Sequence, residues 1–122
     1  MNSERRELIK AYKEKVPTRG IYQLRNTENG KILVEKSANL KGSANSYGFK
    51  LGFYSNHIPE LREDLQQYGK KCFVFEILAE LDSKKADSPY WKDELAELEK
   101  EWLAKLSPYG ERGYNREKKR TR

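Results

Sequence analysis

The stretch GIYQLRNTENGKILVEKS, residues 20–37, decides the fold of this 122-residue chain. It contains two runs typical of β-strands, Ile21–Asn26 and Lys31–Glu35, joined by the residues Thr-Glu-Asn-Gly. Asn29 followed by Gly30 is a strong hairpin signal, because both residue types tolerate the positive φ that a tight turn requires. The stretch therefore predicts an antiparallel β-hairpin.

The segment after the hairpin predicts helices. Residues 37–56 are rich in Gly, Ser and Asn but also carry large apolar side chains, so a short helix and an ordered loop are expected there. Asn56 or His57 is placed to cap a further helix, which has Pro59 in its first turn and Gly69 just past its end. His57 is thus interpreted as a cap or surface residue.

A strand and a long helix complete the pattern. Cys72–Leu78 is aromatic and β-branched, which predicts a third strand at the centre of the sheet. From about Pro89 to Leu106, apolar residues recur at spacings of three and four and so predict a helix with one core-facing stripe. The fold class is therefore α/β (α+β), with a small three-stranded antiparallel or mixed sheet flanked by helices.

The length of the chain fits one domain with one modest core. Residues 1–17 predict an N-terminal helix that Pro17 ends, and residues 18–115 form the predicted domain. Residues 116–122 form a basic tail that is expected to be disordered.

Composition indicates a soluble, unexported protein. No apolar run approaches the roughly 20 residues of a membrane span, and the N-terminus is too charged for the apolar core of a signal peptide. The single cysteine, Cys72, cannot form an internal disulfide, which fits a reducing compartment. A cytoplasmic location and no membrane partner are expected.

The net charge of +6 is unevenly distributed along the chain. Residues 1–78 and 111–122 carry an excess of basic side chains, whereas residues 79–110 are net acidic. This uneven distribution of charge is typical of a protein that binds phosphate groups on one side. A charged surface that only interacts with solvent is the alternative explanation of the same pattern.

Short motifs in a fixed order now identify a family. Gly20, Ile21 and Tyr22 open the first strand, and the chain ends its predicted domain with Gly113-Tyr114-Asn115. From about residue 19 to residue 115 the chain resembles the GIY-YIG endonuclease family. Further matching positions are Asn29, Gly30, Lys31, Asn39, Leu40, Leu61, Asp64, Tyr68, Gly69, Phe73, Phe75, Glu76, Glu99, Trp102 and Leu103.

The resemblance implies a DNA-binding hydrolase that cleaves a phosphodiester with Mg²⁺ or Mn²⁺. It places Glu99 on the metal and Tyr22 near the attacking water, and it makes Asn115 a third residue of the former or residual catalytic site. Bonding of the Asn115 amide to backbone groups at the end of the fold is the alternative role for that residue. The chemistry is physically reasonable. Mg²⁺ keeps most of its waters and takes one or two protein carboxylates, and a tyrosine hydroxyl can orient or deprotonate water.

The chain departs from the family pattern at several catalytic positions. Where the family has its second tripeptide, Tyr-Ile-Gly, this sequence has Leu33, Val34 and Glu35. The family's arginine position falls on Ser43, and two histidine positions fall on Tyr47 and Tyr54. Since losing one transition-state group typically costs a factor of about 10² to 10³, little or no strand cleavage is expected.

Basic side chains nevertheless predict contacts with DNA phosphates. Those expected to bind nucleic acid are Lys36, Lys41, Lys50, Arg116, Lys118, Lys119, Arg120 and Arg122. The preferred hypothesis is a degenerate nuclease domain that binds DNA, or another protein, through its former active-site face. An active but atypical endonuclease using Tyr22 and Glu99 is the first alternative. A protein-interaction scaffold without a nucleic-acid role is the second, because the acidic C-terminal helix and numerous charges suit such a function.

Overall fold

A computed structural model of the protein describes residues 17–116. The predicted N-terminal helix therefore lies outside the described residues, as does the tail beyond Arg116. No helix within residues 17–116 is long and apolar enough to cross a membrane.

The sheet has three antiparallel strands, β1 (Gly20–Asn26), β2 (Ile32–Ser37) and β3 (Phe73–Glu80). The predicted hairpin is confirmed: β1 pairs with β2, and Tyr22 lies opposite Glu35. Gly30 has a φ of 78°, the left-handed conformation that its place in the turn requires. The fold class predicted from the sequence is thus the one observed.

The strand order β2-β1-β3 corrects the prediction that the third strand is central. β1 is the central strand, and β3 forms one edge of the sheet. Only Phe73 of β3 is buried, whereas Ile77 is exposed. Aromatic and β-branched content indicated burial, but the nonlocal pairing that sets strand order leaves no local sequence signal.

Five helices surround the sheet within the described residues. They are α1 (Leu40–Asn45), α2 (Tyr47–Ser55), α3 (Pro59–Tyr68), α4 (Ser83–Ala86) and α5 (Trp91–Leu106), with a 3-10 turn at Lys70–Cys72. Residues 37–56 thus hold two helices rather than one helix and a loop. The first of them, α1, begins at Leu40 because the Asn39 side chain caps it by accepting a hydrogen bond from the Gly42 N–H at 3.1 Å. The prediction of a side-chain cap on α3 was wrong, since its cap residue is Ile58.

The sheet separates two apolar clusters. The first contains Tyr22, Leu24, Leu33, Leu40, Leu51, Leu61, Phe73 and Tyr114, and draws on α1, α2 and α3. The second contains Ile21, Val34, Leu81, Ala86 and Leu95, and draws on α4 and α5. Of the predicted stripe on α5, Leu95 is buried, while Trp91, Leu98, Trp102 and Leu106 are partly buried against this second cluster. α5 therefore covers the face of the sheet opposite α1–α3.

The outer edge of β2 is covered by the segment that follows α5. The Ile32 N–H donates to the Arg112 carbonyl at 3.2 Å, and the Tyr114 N–H donates to the Ile32 carbonyl at 2.8 Å. Gly113 has no room for a side chain, because a Cβ there would collide with the Ile32 and Pro108 carbonyls. This close approach brings Asn115 beside β2 and so shapes one wall of the site.

Candidate nuclease-like cleft

An open cleft of about 900 Å³ runs along β2, between α5 and the start of α3. Its lining includes Glu35, Lys36, His57, Glu99, Asn115 and Arg116. Side chains capable of polar or ionic contacts thus converge on one concavity, from β2, α5, the loop before α3 and the C-terminal segment. The fold brings together residues that are up to about 80 positions apart in the sequence.

Glu99 projects from α5 into this cleft rather than into bulk solvent. Its side chain is 20% exposed, and its Oε1 lies 4.0 Å from the Lys36 Nζ. Although Glu97 and Glu101 on the same helix are exposed, Glu99 lies on the side of α5 that meets β2. Its role as a metal ligand stays a prediction.

Glu35 is the second carboxylate of the cleft. Its pKa is raised from 4.5 to about 7, mainly by burial and further by the negative charge of Glu99, while the positive charges of Lys50 and Lys36 oppose the shift. The two carboxylates therefore repel one another, and together they concentrate negative charge where the family resemblance expects a phosphate. A small residue at position 35 would leave this space uncharged.

Tyr22 lies in the first apolar cluster and is fully buried. Its ring stacks on Phe75 with centroids 4.8 Å apart, and its hydroxyl has no hydrogen-bond partner within the described part of the chain. Burial raises its pKa above the ordinary value, and Tyr54 and Glu35 add to the shift, although the hydroxyls of Tyr22 and Tyr54 do not meet in hydrogen-bond geometry. A phenol in this position is a poor base and is shielded from water.

The substituted positions are occupied by residues that stabilise the fold. Leu33 is buried in the first apolar cluster, and Tyr47 packs on Phe75 with ring centroids 6.1 Å apart. Ser43 is buried, and its hydroxyl shares a hydrogen bond of 2.6 Å with the Ser37 hydroxyl. Tyr54 is half-buried beside this cluster, and its pKa is raised mainly by burial. Position 43 therefore holds a buried serine and provides no guanidinium to bind a phosphate.

Asn115 binds backbone in this structure. Its Oδ1 accepts from the Val34 N–H and its Nδ2 donates to the Val34 carbonyl, each at 2.8 Å. The amide thereby substitutes for a neighbouring strand at the free edge of β2. Both atoms that a catalytic role would use are already engaged.

The predicted DNA-contacting cations are spread around the cleft and α2. Lys36 and Arg116 line the cleft, and Arg116 lies 3.4 Å from the Glu60 carboxylate. Lys41 is exposed on α1, and the Lys50 Nζ lies 5.7 Å from the centroid of the Tyr22 ring. Lys118, Lys119, Arg120 and Arg122 lie outside the described residues.

His57 is exposed, which agrees with the surface part of its interpretation as a cap or surface residue, but its place in the cleft was not expected. It lines the cleft, does not cap α3, and its ring lies edge-on to Phe53 with centroids 5.2 Å apart. His57 is the single histidine of the chain and comes just before a predicted helix, and this was the one sequence feature that could have indicated a functional position. An imidazole ring can donate and accept hydrogen bonds, so His57 adds a polar group to the lining of the cleft.

The cleft offers two carboxylates to a cation. Residues 17–116 contain no group of three or more His, Cys, Asp or Glu side chains arranged to hold a metal ion. Glu35 and Glu99 are nevertheless hard oxygen donors on one cleft, and Mg²⁺ commonly takes one or two carboxylates and completes its shell with water. The donor chemistry therefore fits, although Lys36 already lies near one of the two.

Two solved structures are similar to this chain. One is the catalytic domain of intron endonuclease I-TevI carrying a glutamate-to-alanine mutation, with 26% identity, a TM-score of 0.62, and coverage of 80% of this chain and 92% of that chain. The other is the catalytic domain of homing endonuclease I-TevI, with 28% identity, a TM-score of 0.60, and coverage of 80% and 96%. No family model matches the chain, and neither does any curated protein.

Proposed function

Because this chain has the GIY-YIG nuclease fold, we propose that it is a DNA-binding domain with little or no ability to cut a strand. The two similar structures are catalytic domains of an endonuclease, which directs attention to the cleft along β2. Fold alone does not assign chemistry, so the proposal depends on the residues that occupy that cleft.

One observation carries the proposal: the cleft holds the extra carboxylate of Glu35 beside Glu99, while the arginine position is the buried Ser43. Phosphodiester cleavage needs positive charge on the scissile phosphate as negative charge develops in the transition state. Here a carboxylate has been added and the expected guanidinium is missing. The buried Tyr22 hydroxyl is also badly placed to activate water.

DNA binding requires fewer precisely placed groups than strand cleavage does. Lys36, Lys41, Lys50 and Arg116 surround the cleft and α1–α2, and phosphate contacts from such side chains supply most of the affinity in non-specific binding. Two or three of these contacts, with any from the terminal tail, would hold duplex DNA at low salt. The domain would therefore keep its affinity for DNA although it has lost strand cleavage.

A second function, an active endonuclease with an atypical site, is favoured by the same pair of carboxylates. Glu35 and Glu99 are the residues that would hold Mg²⁺ or Mn²⁺, and a bound metal would stabilise charge on a phosphate oxygen. In that case Lys36 would have to leave Glu99 and contact the phosphate instead. Lysine is a point charge without the bidentate fork of arginine, which makes this the less favoured function.

Binding is tested by measuring duplex DNA affinity as a function of salt for the full chain. We expect log Kd to vary linearly with log salt concentration, and Lys36→Ala and Lys50→Ala should each reduce the slope by about 1. Lys71→Ala, an exposed lysine on the 3-10 turn, is the matched control. Salt-independent or absent binding would overturn the proposal and favour a protein-interaction scaffold.

A further inference from the structure

Two large aromatic side chains are exposed on α2. Phe49 is 80% exposed and Phe53 is 54% exposed. Residues four positions apart lie on the same face of a helix, so the two rings form one outward-facing pair. Burying a phenylalanine side chain stabilises a protein by about 1.5 to 3 kcal/mol. Two such residues left in water on one face of a nine-residue helix therefore suggest a surface that is covered in a complex.

Two glycines lie next to this aromatic pair. Gly48 and Gly52 are also four positions apart, and a Cβ built at either position meets no neighbouring group of residues 17–116 within 4 Å. Glycine within a helix costs about 1 kcal/mol relative to alanine. No neighbouring group in the described part of the chain requires the absence of a side chain at these positions. Their bare backbone gives the exposed face of α2 room for a flat ligand beside the two rings.

The charge around this face complements a polyanion. No Asp or Glu occurs between Glu35 and Glu60, although 19 acidic residues are present in the chain. The same segment contains Lys41 on α1 and Lys50 on α2. The helices α1 and α2 thus combine exposed aromatic rings with lysines and carry no carboxylate of their own, a combination that proteins use to hold single-stranded nucleic acid.

The aromatic pair is continuous with the cleft. Phe53 lies edge-on to His57 with centroids 5.2 Å apart, and His57 lines the cleft. Lys50, between the two phenylalanines in sequence, extends toward Tyr22 and adds positive charge near Glu35. A strand whose phosphates follow the lysines would thus place its bases over α2 beside the cleft mouth.

We propose that the exposed face of α2, formed by Phe49, Phe53 and the bare backbone at Gly48 and Gly52, is a stacking platform for unpaired DNA bases. This inference rests on the proposed DNA-binding function and specifies its ligand: DNA with a single-stranded or locally unpaired segment. Bases inside a duplex already stack on one another, so only unpaired bases offer a free π-face to these rings.

The test compares a single-stranded oligonucleotide with a duplex of the same sequence, using fluorescence anisotropy and the full chain. Phe49→Ala and Phe53→Ala should each weaken single-strand binding by about 5- to 150-fold, since stacking on an aromatic ring is worth about 1 to 3 kcal/mol per base. The salt slope should not change, because neither ring contacts a phosphate. Tyr90→Ala, which removes a 67% exposed aromatic ring at the start of α5, is the matched control.

A second readout reports stacking directly. 2-Aminopurine placed in the single strand should be quenched by the wild type and by Tyr90→Ala, and less so by Phe49→Ala. Unchanged single-strand affinity in both phenylalanine variants, or an equal loss for duplex and single strand, would overturn the platform while leaving DNA binding intact. A wild type that binds neither form would instead overturn the proposed function.

Discussion

The side-chain amide of Asn115 binds both the N–H and the carbonyl of Val34, with two hydrogen bonds of 2.8 Å. This arrangement attaches the C-terminal segment to the outer edge of β2, next to the Gly113 contact with Ile32. The residue that the family resemblance places in the active site is therefore a structural bridge in this protein. Its two bonds lie on the wall of the cleft.

Replacing Asn115 should consequently lower stability. Asn115→Ala leaves the Val34 N–H and carbonyl without partners, which should reduce the free energy of unfolding by about 1 to 3 kcal/mol. Asn115→Asp keeps one acceptor but places a carboxylate against the Val34 carbonyl, so its effect should be at least as large. Urea unfolding measures both variants. A stability equal to that of the wild type would show that the bridge is not formed in solution.

Gly20 should not tolerate even alanine. A Cβ at this position would collide with the Ala79 carbonyl of β3 and come within 3.0 Å of the Glu80 Cα, both backbone atoms that cannot rotate away. Gly20→Ala should therefore lower the free energy of unfolding by about 2 kcal/mol or more, because the central strand must shift. Thermal or urea unfolding provides the measurement, and a wild-type midpoint would contradict the register of β1 against β3.

Gly48→Ala is the matched control for that substitution and should have the opposite sign. The helix α2 has open space around Gly48, so alanine should stabilise the fold by about 0.5 to 1 kcal/mol through its higher helix propensity. Destabilisation at Gly48 would mean that this helix face is covered within the chain itself. That result would also remove the room inferred for a ligand.

Tyr22→Phe should be neutral or stabilising. The hydroxyl is buried without a hydrogen-bond partner among the described residues, and its removal relieves the desolvation cost of an unpaired polar group. We expect a gain of about 0 to 2 kcal/mol in the free energy of unfolding, with unchanged duplex DNA affinity. A clear loss of stability would indicate that this hydroxyl has a bonding partner in solution.

Glu35 should make stability depend on pH. The carboxyl binds its proton more tightly in the folded state, where its pKa is about 7, than at its ordinary pKa of 4.5. Stability contributed by this group is therefore complete below pH 4.5 and is lost as pH rises through about 7. Glu35→Gln should be more stable than the wild type at pH 8 by about 1 to 3 kcal/mol, and the advantage should disappear near pH 5.

Urea unfolding at pH 5 and pH 8, with a chelator present, measures this difference. Glu63→Gln, a substitution on the exposed side of α3, is the control for the general effect of removing a negative charge. Parallel pH profiles for the wild type and Glu35→Gln would contradict the burial of Glu35 beside Glu99.

Local signals explain which parts of the fold the sequence predicts. The Asn29-Gly30 turn and the stripe of α5 are encoded by neighbouring residues, and both are observed. The central strand, however, is determined by the pairing of β1 with Phe73–Glu80, nearly fifty residues away. The sequence therefore led to the wrong prediction that the third strand is central. Ordered motifs from Gly20 to Asn115 supplied the family resemblance that periodicity alone does not give.

The site was predicted less completely, because its properties depend on tertiary contacts. The sequence identified Glu35 as an added carboxylate, but its proximity to Glu99 follows from the packing of α5 beside β2. His57 was interpreted as a cap or surface residue; it is exposed and does not cap α3, and the loop before α3 places it at the cleft. Similarly, no local sequence pattern shows that the Tyr22 ring stacks on Phe75 and that the Lys50 side chain lies over the same ring.

The central claim, that the fold binds DNA without cutting it, is tested most directly by incubating supercoiled plasmid with the full chain and Mg²⁺ or Mn²⁺ at low salt. We predict retention of the plasmid in a salt-sensitive complex and no nicking above the protein-free rate. Nicking by the wild type that disappears in Glu99→Ala would contradict the account, and would establish a working metal site in the cleft that Glu35 and Glu99 share.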